Sequence, residues 1–262
     1  MPWNPDQYHK FQAERSAPFF DLLARVEVRP NLKVVDLGCG TGELTRRLAD
    51  LLPGSDVTGI DNSAEMLDAA RTASFGRPGP STSLRTSLVF ERGDQAQLTG
   101  EWDLIFSNAS LQWSGDHAEL IPLPYGKLAP GGQIAVQVPS NHNHISHQVY
   151  RETAGEEPFK AILKGFQRYA PVLSIDEYAS LLFGCGAENI IVFEKIYPHV
   201  LEDSDAVVEW ISGTALVPYF ERLGGYREEF LKLIREKMRA GMPGSPIFYP
   251  FRRILFSARK PQ

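Results

Sequence analysis

Short apolar runs alternate with amphipathic segments through the first half of the chain. Apolar runs bounded by turn residues are typical of buried strands, and apolar positions at helical spacing are typical of helices. The predicted strands are Lys33–Leu37, Asp56–Asp61, Ser87–Arg92, Trp102–Asn108 and Gln133–Val138. The predicted helices between them are Glu43–Leu52, Ala64–Ala73 and Asp116–Leu128. This alternation predicts an α/β fold, a Rossmann-like, doubly wound and mainly parallel sheet with helices on both faces.

Strict alternation ends after Pro139. A polar, His-rich stretch at Ser140–His147 leads into helical periodicity that continues through Tyr169. The later predicted elements are helices at Ile175–Leu182, Ala206–Leu216 and Tyr226–Met238 and strands at Asn189–Tyr197 and Phe248–Ala258. We expect one domain over residues 1–262, in which 1–30 are capping helices, 31–139 the cofactor-binding core, 140–247 mixed core and helical insertions over the active site, and 248–262 the closing strand.

A glycine-rich turn follows the first predicted strand. Gly38, Gly40 and Gly42 alternate with small residues before the next helix, an arrangement that brings backbone close to a ligand at a helix N-terminus. A dinucleotide fingerprint that began at Gly38 would need its third glycine where Glu43 stands, and a carboxylate there would repel a pyrophosphate. A Walker A loop is excluded because no Gly-Lys-Ser/Thr follows.

The remaining pattern, Asp-x-Gly-x-Gly-x-Gly from Asp36 to Gly42, resembles the S-adenosylmethionine (SAM) site of class I methyltransferases. The resemblance implies SAM as the cofactor and a seven-stranded sheet whose last strand is antiparallel. Asp61, at the end of the second strand, is then expected to accept hydrogen bonds from the ribose hydroxyls. Its alternative role is to cap the next helix, for which Ser63 is better suited.

Further cofactor contacts follow from the same resemblance. Asp94 and Gln95 would bind the adenine amino group, although Asp94 could simply form a turn after Gly93. Glu43 or Asp36 could face the amino-acid or sulfonium end of SAM, and Asp36 could instead hold the turn structurally. The other residues assigned to the cofactor are Asn62, Met66 and Asn108. A DNA adenine methyltransferase would have Asp/Asn-Pro-Pro-Tyr/Phe at Asn108, and the Asn-Ala-Ser-Leu found there argues against nucleobase methylation.

Several segments outside the core resemble the trans-aconitate methyltransferases, which esterify one carboxylate of a small polycarboxylic acid. The resemblance covers nearly the whole chain. Its motifs are Trp3-Asn4-Pro5-x-x-Tyr8-x-x-Phe11-x-x-Glu14-Arg15, Asn108-Ala-Ser-Leu-Gln-Trp113 with Asp116-His117, Ala135-Val-Gln-Val-Pro139-x-Asn141 with His144 and Arg151-Glu152, Trp210-x-x-x-Thr214-x-Leu216-x-Pro218-Tyr219, and Pro250-Phe251-x-Arg253.

This closer resemblance implies an acceptor site. Its predicted members are His144, Arg253, Tyr219, Trp113 and Gln112. Each has a plain alternative: a loop histidine, a structural ion pair or core packing. Tyr8, Phe11 and Arg15 are expected to form a lid, with Arg15 on the SAM carboxylate, unless that helix merely packs on the core.

Two features depart from the family. The family commonly has Arg where this chain has Val217, and the Gly-, Pro- and Ser-rich segment Ser74–Ser87, a predicted flexible surface loop, is longer than the usual connection. Loss of a cation at Val217 would weaken the binding of a tricarboxylate. We therefore keep open the hypothesis that the acceptor is a different acid.

Composition narrows the partners. A formal net charge of -5 argues against non-specific nucleic-acid binding. No apolar window is long enough for a membrane span, and the N-terminus lacks the apolar core of a signal peptide. Cys39 and Cys185, far apart in the sequence, favour a reducing cytoplasm. His142, His144 and His147 lack cysteine or acidic partners at ligand spacing, so no metal site is predicted.

The sequence thus predicts a cytoplasmic, SAM-dependent O-methyltransferase that forms the methyl ester of a small carboxylic acid such as trans-aconitate. We expect a monomer or weak homodimer without nucleic-acid or membrane partners. The alternatives are a methyltransferase acting on another metabolite or on an acyl-chain carboxyl, and a SAM-binding protein without catalytic activity.

Overall fold

A computed structural model describes residues 12–74 and 86–262 of the chain. The strands are β1 (Lys33–Leu37), β2 (Asp56–Asp61), β3 (Ser87–Arg92), β4 (Trp102–Asn108), β5 (Leu128–Pro139), β6 (Glu188–Leu201) and β7 (Ile247–Arg259). Among the described residues they form one seven-stranded sheet in the order β3-β2-β1-β4-β5-β7-β6. β1 to β5 pair with one another in parallel, whereas β7 is antiparallel to β5. The predicted fold class is confirmed.

Helices connect most of these strands along the chain, and three of them lie between β6 and β7 in the sequence. They are α1 (Gln12–Leu23), α2 (Glu43–Leu51), α3 (Ala64–Ser74), α4 (His117–Leu120), α5 (Pro122–Gly126), α6 (Ile145–Ala154), α7 (Phe159–Ile162), α8 (Ile175–Gly184), α9 (Ser204–Ser212), α10 (Val217–Leu223) and α11 (Arg227–Gly241). No helix in the described ranges is long and apolar enough to cross a membrane.

The two faces of the sheet bury different apolar sets, because successive strand residues point to opposite faces. On one face Leu104 and Phe106 of β4 pack with Phe19 of α1 and Leu48 of α2. On the other face Ile105 packs in a cluster that includes Tyr178 and Leu182 of α8, both fully buried. This double cover makes the sheet a rigid support for residues at its carboxyl edge.

The main differences from the predicted elements concern two helices and two strands, of which β6 extends to Leu201 rather than ending at Tyr197. The helix predicted at Asp116–Leu128 is two short helices, because Pro122 supplies no backbone N–H and begins α5 instead. The helix predicted at Ala206–Leu216 ends at Ser212 with Gly213 as its cap, and α10 follows. β5 begins at Leu128 rather than Gln133, since Leu128 pairs with Trp102 across an irregularity in the register.

The chain divides into two compact units. The core unit consists of Arg15–Pro139, Pro171–Lys195 and Arg253–Gln262. The helical unit includes Ser140–Ala170 and Ile196–Arg252, with an apolar cluster of its own around Tyr219 and Phe230. The expectation of one domain with the boundaries given above stays a prediction, and residues 75–85 of the predicted loop lie outside the described residues.

Candidate functional site

The glycine turn lies at the carboxyl end of β1. Gly38 and Gly40 have positive φ angles of 73° and 54°, a backbone region that favours glycine. A Cβ at Gly38 would lie 1.7 Å from Ser110 Oγ, whereas a Cβ at Gly40 would meet no atom of the described residues within 4 Å. Gly38 is therefore required by close packing, while Gly40 leaves open space beside the turn. Gly42, with φ 73°, caps the N-terminus of α2.

The end of β2 holds this turn in place. The backbone N–H groups of Gly38 and Cys39 both donate to the carbonyl oxygen of Ile60, over 2.7 and 3.0 Å. Gly40 N donates to Asp61 Oδ2 over 2.9 Å. The predicted cofactor residues Gly38, Gly40 and Asp61 are thus brought together by hydrogen bonds from the turn's backbone to the Ile60 carbonyl and to the Asp61 side chain.

The second carboxylate oxygen of Asp61 accepts a hydrogen bond from the backbone two residues further along the chain. Ser63 N donates to Asp61 Oδ1 over 2.9 Å. Ser63 Oγ in turn accepts from Met66 N over 3.3 Å in the first turn of α3. Ser63 therefore serves the first turn of the helix, and each carboxylate oxygen of Asp61 keeps a further lone pair for a ligand hydroxyl. Asn62 is exposed and Met66 half-buried beside it.

Asp36 is buried beneath the turn, where Thr45 Oγ1 of α2 donates to its Oδ2 over 2.6 Å. Burial raises the pKa of Asp36 to about 6, the Thr45 hydrogen bond opposes that rise, and the nearby Asp61 charge adds to it. Burial and these same two carboxylates also raise the pKa of the Cys39 thiol. Cys39 is therefore a protonated, packed thiol rather than a nucleophile.

The segment after β3 carries Asp94 and Gln95. Asp94 Oδ1 accepts from Ala96 N over 2.8 Å and caps a single 3-10 turn, the alternative that its sequence context also allowed. Gln95 Nε2 donates to Ser114 Oγ over 2.9 Å, and Gln95 Oε1 accepts from Ser110 Oγ over 3.3 Å. Gln95 thereby links the end of β3 to the segment that follows β4.

Asn108 closes β4 and lies directly beside Gln137 of β5 in the parallel register. Asn108 Oδ1 is buried and accepts no hydrogen bond from any described residue. The following 3-10 turn, Leu111–Trp113, presents Gln112 and Trp113. Gln112 Nε2 donates to Ala109 O over 2.7 Å, and the Trp113 side chain is 44% exposed.

A buried His–Tyr pair supports that turn, and the sequence reasoning did not identify it. The Leu111 carbonyl can only accept, so His117 Nε2 carries a proton and donates to it over 2.9 Å. His117 Nδ1 then accepts from the Tyr178 hydroxyl. Burial lowers the pKa of His117, which favours this neutral form. His117 belongs to one of the family motifs, but its pairing with Tyr178 of α8 exists only in the folded chain.

Arg253 lies in β7 and is buried, in register with Pro139 of β5. Its Nη1 donates to Gln137 Oε1 over 3.2 Å. Gln137 is fully buried, and its Nε2 has no acceptor among the described residues. Sequence reasoning named Arg253 and missed Gln137, whose signal was a polar residue inside an apolar strand.

These features fit SAM as the implied cofactor. A glycine cradle with open space at Gly40, a carboxylate at Asp61 and an unused acceptor at Asn108 Oδ1 lie at one edge of the sheet. Ligands of parallel α/β sheets bind outside the carboxyl ends of the strands, which is this edge. Tyr8 and Phe11 lie outside the described residues, and so does the side chain of Arg15.

The helical unit contains the other two predicted acceptor residues. His144 caps α6, its Nδ1 accepts from Ser146 N over 3.2 Å, and its ring packs 4.9 Å from that of Tyr249. Burial, and secondarily Arg252, lowers the pKa of His144. Tyr219 is fully buried, and its hydroxyl accepts from Arg168 N over 3.0 Å. Within the described ranges, no group of three or more His, Cys, Asp or Glu is placed to hold a metal ion.

The tyrosine ring makes Tyr219 part of the helical unit's core. It packs against Tyr150 at 5.4 Å, Phe166 at 5.3 Å and Phe230 at 6.0 Å between ring centroids. Burial raises the pKa of its hydroxyl, which keeps a proton to donate. Val217, where the family commonly has Arg, is half-buried at the start of α10.

Known proteins resemble this chain both in sequence and in fold. Residues 29–179 match the model of a family described as a methyltransferase domain. The chain is 45% identical to the trans-aconitate 2-methyltransferase of Deinococcus radiodurans over 100% of both chains. It is 40% identical to that of Streptomyces coelicolor over 99% of this chain and 87% of the relative. The solved YcgJ protein of Bacillus subtilis shares the fold at 13% identity, with a TM-score of 0.63 over 94% of this chain and 99% of that one.

Proposed function

The chain belongs to the trans-aconitate 2-methyltransferase family of class I SAM-dependent methyltransferases, and on that premise we propose that it forms the methyl ester of trans-aconitate or a close polycarboxylic acid. The observation that carries the choice of acceptor is identity of 45% over the full length of a relative named for that acid. Membership in the family confirms the predicted enzyme class, and the open glycine cradle supports SAM as the cofactor.

Bound SAM supplies an electrophilic methyl group on a sulfonium, which a carboxylate oxygen takes by in-line displacement as S-adenosylhomocysteine leaves. A carboxylic acid has an ordinary pKa near ~4, so the acceptor is already ionised at pH 7 and needs no general base. The contribution of the protein is to orient and desolvate the reactants, and orientation can supply roughly 7–11 kcal/mol of the barrier.

The cofactor contacts that we propose lie in the core unit. Asp61 binds the ribose hydroxyls with the lone pairs that Gly40 N and Ser63 N leave unused. Asp94 and Gln95 bind the adenine edge. Asn108 Oδ1, which is buried and unpaired among the described residues, accepts from the polarised methyl or ammonium end of the cofactor. The turn residues Gly38 and Gly42 and the neighbours Asp36, Asn62 and Met66 shape this pocket.

Anionic acceptors require donors, and those donors should differ in strength. Cations suit the carboxylates that do not react, because a strong ion pair would overstabilise the reacting oxygen relative to the transition state. Buried Arg253 is the proposed cation of the core unit, with Gln112 and Trp113 as walls. In the helical unit, His144 and Tyr219 stay the proposed acceptor contacts.

Methyl transfer from labelled SAM to a panel of di- and tricarboxylic acids that includes trans-aconitate tests the proposal. A base-labile product would identify a methyl ester and support both the reaction and the acceptor class. SAM binding by calorimetry without turnover of any acid would overturn the carboxylate acceptor and favour another metabolite or a non-catalytic role.

Val217 offers a sharper test of which acid is bound. An Arg at this position would add a cation to the half-buried start of α10. If the acceptor is less charged than trans-aconitate, Val217→Arg should raise the apparent affinity for trans-aconitate by about 3- to 10-fold, the value of an ion pair near the surface. An unchanged KM would contradict that hypothesis and leave trans-aconitate as the simplest acceptor.

We propose that the protein acts in the cytoplasm on a small molecule. Cys39 and Cys185 are both free thiols, which agrees with a reducing cytoplasm. A small-molecule acceptor accounts for the site without nucleic acid or membrane, and a monomer or weak homodimer suffices for it. Size-exclusion chromatography with light scattering would test the oligomeric state.

A further inference from the structure

Gln137 is the buried polar residue at the carboxyl edge that the proposed roles have not used. It is fully buried in β5, beside Asn108 in the register of β4 and β5. Side chains alternate along a strand, so Gln137 shares its face with Ala135, and Asn108 shares the same face with Phe106. Gln137 and Asn108 are therefore direct neighbours on one face of the sheet.

Arg253 decides which way the amide of Gln137 points. A guanidinium can only donate, so the atom 3.2 Å from Arg253 Nη1 must be the amide oxygen, Oε1. The amino group, Nε2, consequently points away from the cation. It is buried and finds no acceptor among the described residues. Burial of an unpaired donor is unfavourable, and such a group in a folded protein calls for a ligand or a functional reason.

The level of Gln137 along the sheet places this donor near the glycine turn. Phe106 is in register with Asp36 of β1, so Asn108, two residues further along β4, is level with Gly38. Gly38 is packed against Ser110, just after Asn108. One strand, β4, thus separates Gln137 of β5 from the cofactor turn at the end of β1.

From this arrangement we infer that Gln137 is the neutral donor that holds the reacting carboxylate of the acceptor. The inference rests on the proposed function. Ester formation removes the negative charge of that carboxylate, so a cationic partner would lose its interaction as the reaction proceeds. An amide N–H orients the oxygen with a weaker bond, while Arg253 fixes the amide and supplies positive charge nearby.

The chain contains a matched control in the same strand. Gln133 is also buried and lies on the same face, four residues earlier. Both ends of its amide are used, because Nε2 donates to Glu27 O over 3.0 Å and Oε1 accepts from Glu27 N over 2.8 Å. Gln133→Met and Gln137→Met remove the same groups from buried positions, but of the two residues only Gln137 has an amino group without an acceptor among the described residues.

The experiment compares wild type, Gln137→Met and Gln133→Met. Calorimetry gives the affinity for SAM, and the affinity for trans-aconitate in the presence of S-adenosylhomocysteine, where no turnover occurs. Gln137→Met should weaken trans-aconitate binding and lower kcat/KM by about 10- to 100-fold, as expected for a lost bond to a charged group. Its SAM affinity should stay within about threefold. Gln133→Met should lower stability with both affinities and kcat/KM unchanged.

Three results would overturn the inference. These are an unimpaired Gln137→Met enzyme, equal acceptor losses in both variants, and a parallel loss of SAM affinity that would assign Gln137 to the cofactor. If Gln137→Met does not fold, isosteric Gln137→Glu decides instead, because its carboxylate should repel the acceptor and leave SAM binding intact. A wild type that forms no ester overturns the proposed function itself, whereas an active wild type with an unimpaired variant overturns the inference alone.

Discussion

The two halves of the carboxyl edge in the core unit treat their polar groups differently. On the cofactor edge, at the ends of β1, β2 and β3, Asp36, Asp61 and Asp94 all accept hydrogen bonds from nearby groups of the chain. On the acceptor edge, Gln137 Nε2 at the end of β5 is buried and unpaired among the described residues. Asn108 Oδ1, the proposed cofactor contact at the end of β4 between the two edges, is buried and unpaired in the same sense.

The cofactor edge is therefore preorganised for its ligand, whereas the acceptor edge keeps polar groups that a ligand can satisfy. The cofactor edge folds with its carboxylates already fixed, so a ligand meets groups that need little reordering. The acceptor edge carries unmet hydrogen bonds, which lower stability and strengthen any ligand that satisfies them. A binding site can therefore be recognised by the hydrogen bonds that its residues lack as well as by those that they make.

Gly38→Ala should lower the stability more than any other proposed substitution, because Gly38 at the end of β1 packs against Ser110, which follows β4. Its positive φ disfavours a side chain, and the new Cβ would overlap Ser110 Oγ. We expect a loss of about 2–5 kcal/mol in the free energy of unfolding, measured by urea denaturation. Gly40→Ala, with open space around it, should lose only about 1–2 kcal/mol. Equal losses would contradict the close contact between the two edges.

Asp36 should make the stability of the cofactor edge depend on pH. Burial raises the pKa of folded Asp36 to about 6, above its ordinary value of 3.8, so the folded state holds the proton more tightly. Stability from this group is full below pH 4 and is lost as the pH rises through about 6. Relative to Asp36→Asn, the wild type should lose up to about 3 kcal/mol of unfolding free energy between pH 4 and 8. Parallel pH profiles for the two proteins would contradict the raised pKa.

Asp61→Ala should separate the edges functionally. It removes the carboxylate that accepts from Gly40 N and, as proposed, from the ribose. SAM affinity should fall by about 10- to 100-fold by calorimetry, the value of hydrogen bonds to a charged group. The KM for trans-aconitate, measured at saturating SAM, should change by less than about threefold. A selective loss of acceptor affinity would reverse the assignment of the two edges.

Trp113→Ala should have the smallest effect on folding. The side chain is 44% exposed, so the free energy of unfolding should change by less than about 1 kcal/mol. If Trp113 covers the acceptor, the KM for trans-aconitate should rise by about 3- to 10-fold. Phe183→Ala, at an exposed aromatic of α8, is the control and should leave the KM unaltered. A shared KM change would point to a general loss of stability.

The sequence predicted the first four strands with the boundaries that the structure shows, because short apolar runs there are bounded by clear turn residues. Helix boundaries were predicted less well where proline decides them. Pro122 divides the helix predicted at Asp116–Leu128, and α10 begins close to Pro218. Periodicity alone cannot place such breaks, since the apolar spacing continues across them.

The residues of the candidate site likewise divide into those that motifs along the chain predict and those that depend on distant contacts. The spacing of Gly38, Gly40 and Gly42 and the position of Asp61 suffice to predict a SAM turn through their resemblance to class I methyltransferases, because those residues form a recognisable motif along the chain. The assignments of Tyr8, Phe11 and Arg15 stay predictions. Gln137 could not be assigned, because the direction of its amide depends on Arg253, which is 116 residues away.

By itself the sequence determined the order of elements, the glycine turn and the family, since each depends on local spacing and on motifs read along the chain. Only the tertiary structure decided which polar atoms are satisfied. A hydrogen bond between strands is fixed by register and by side-chain direction across the sheet. Gln133 and Gln137 show the consequence, because the same residue type on the same face bonds through both amide groups at one position and has an amino group without an acceptor among the described residues at the other.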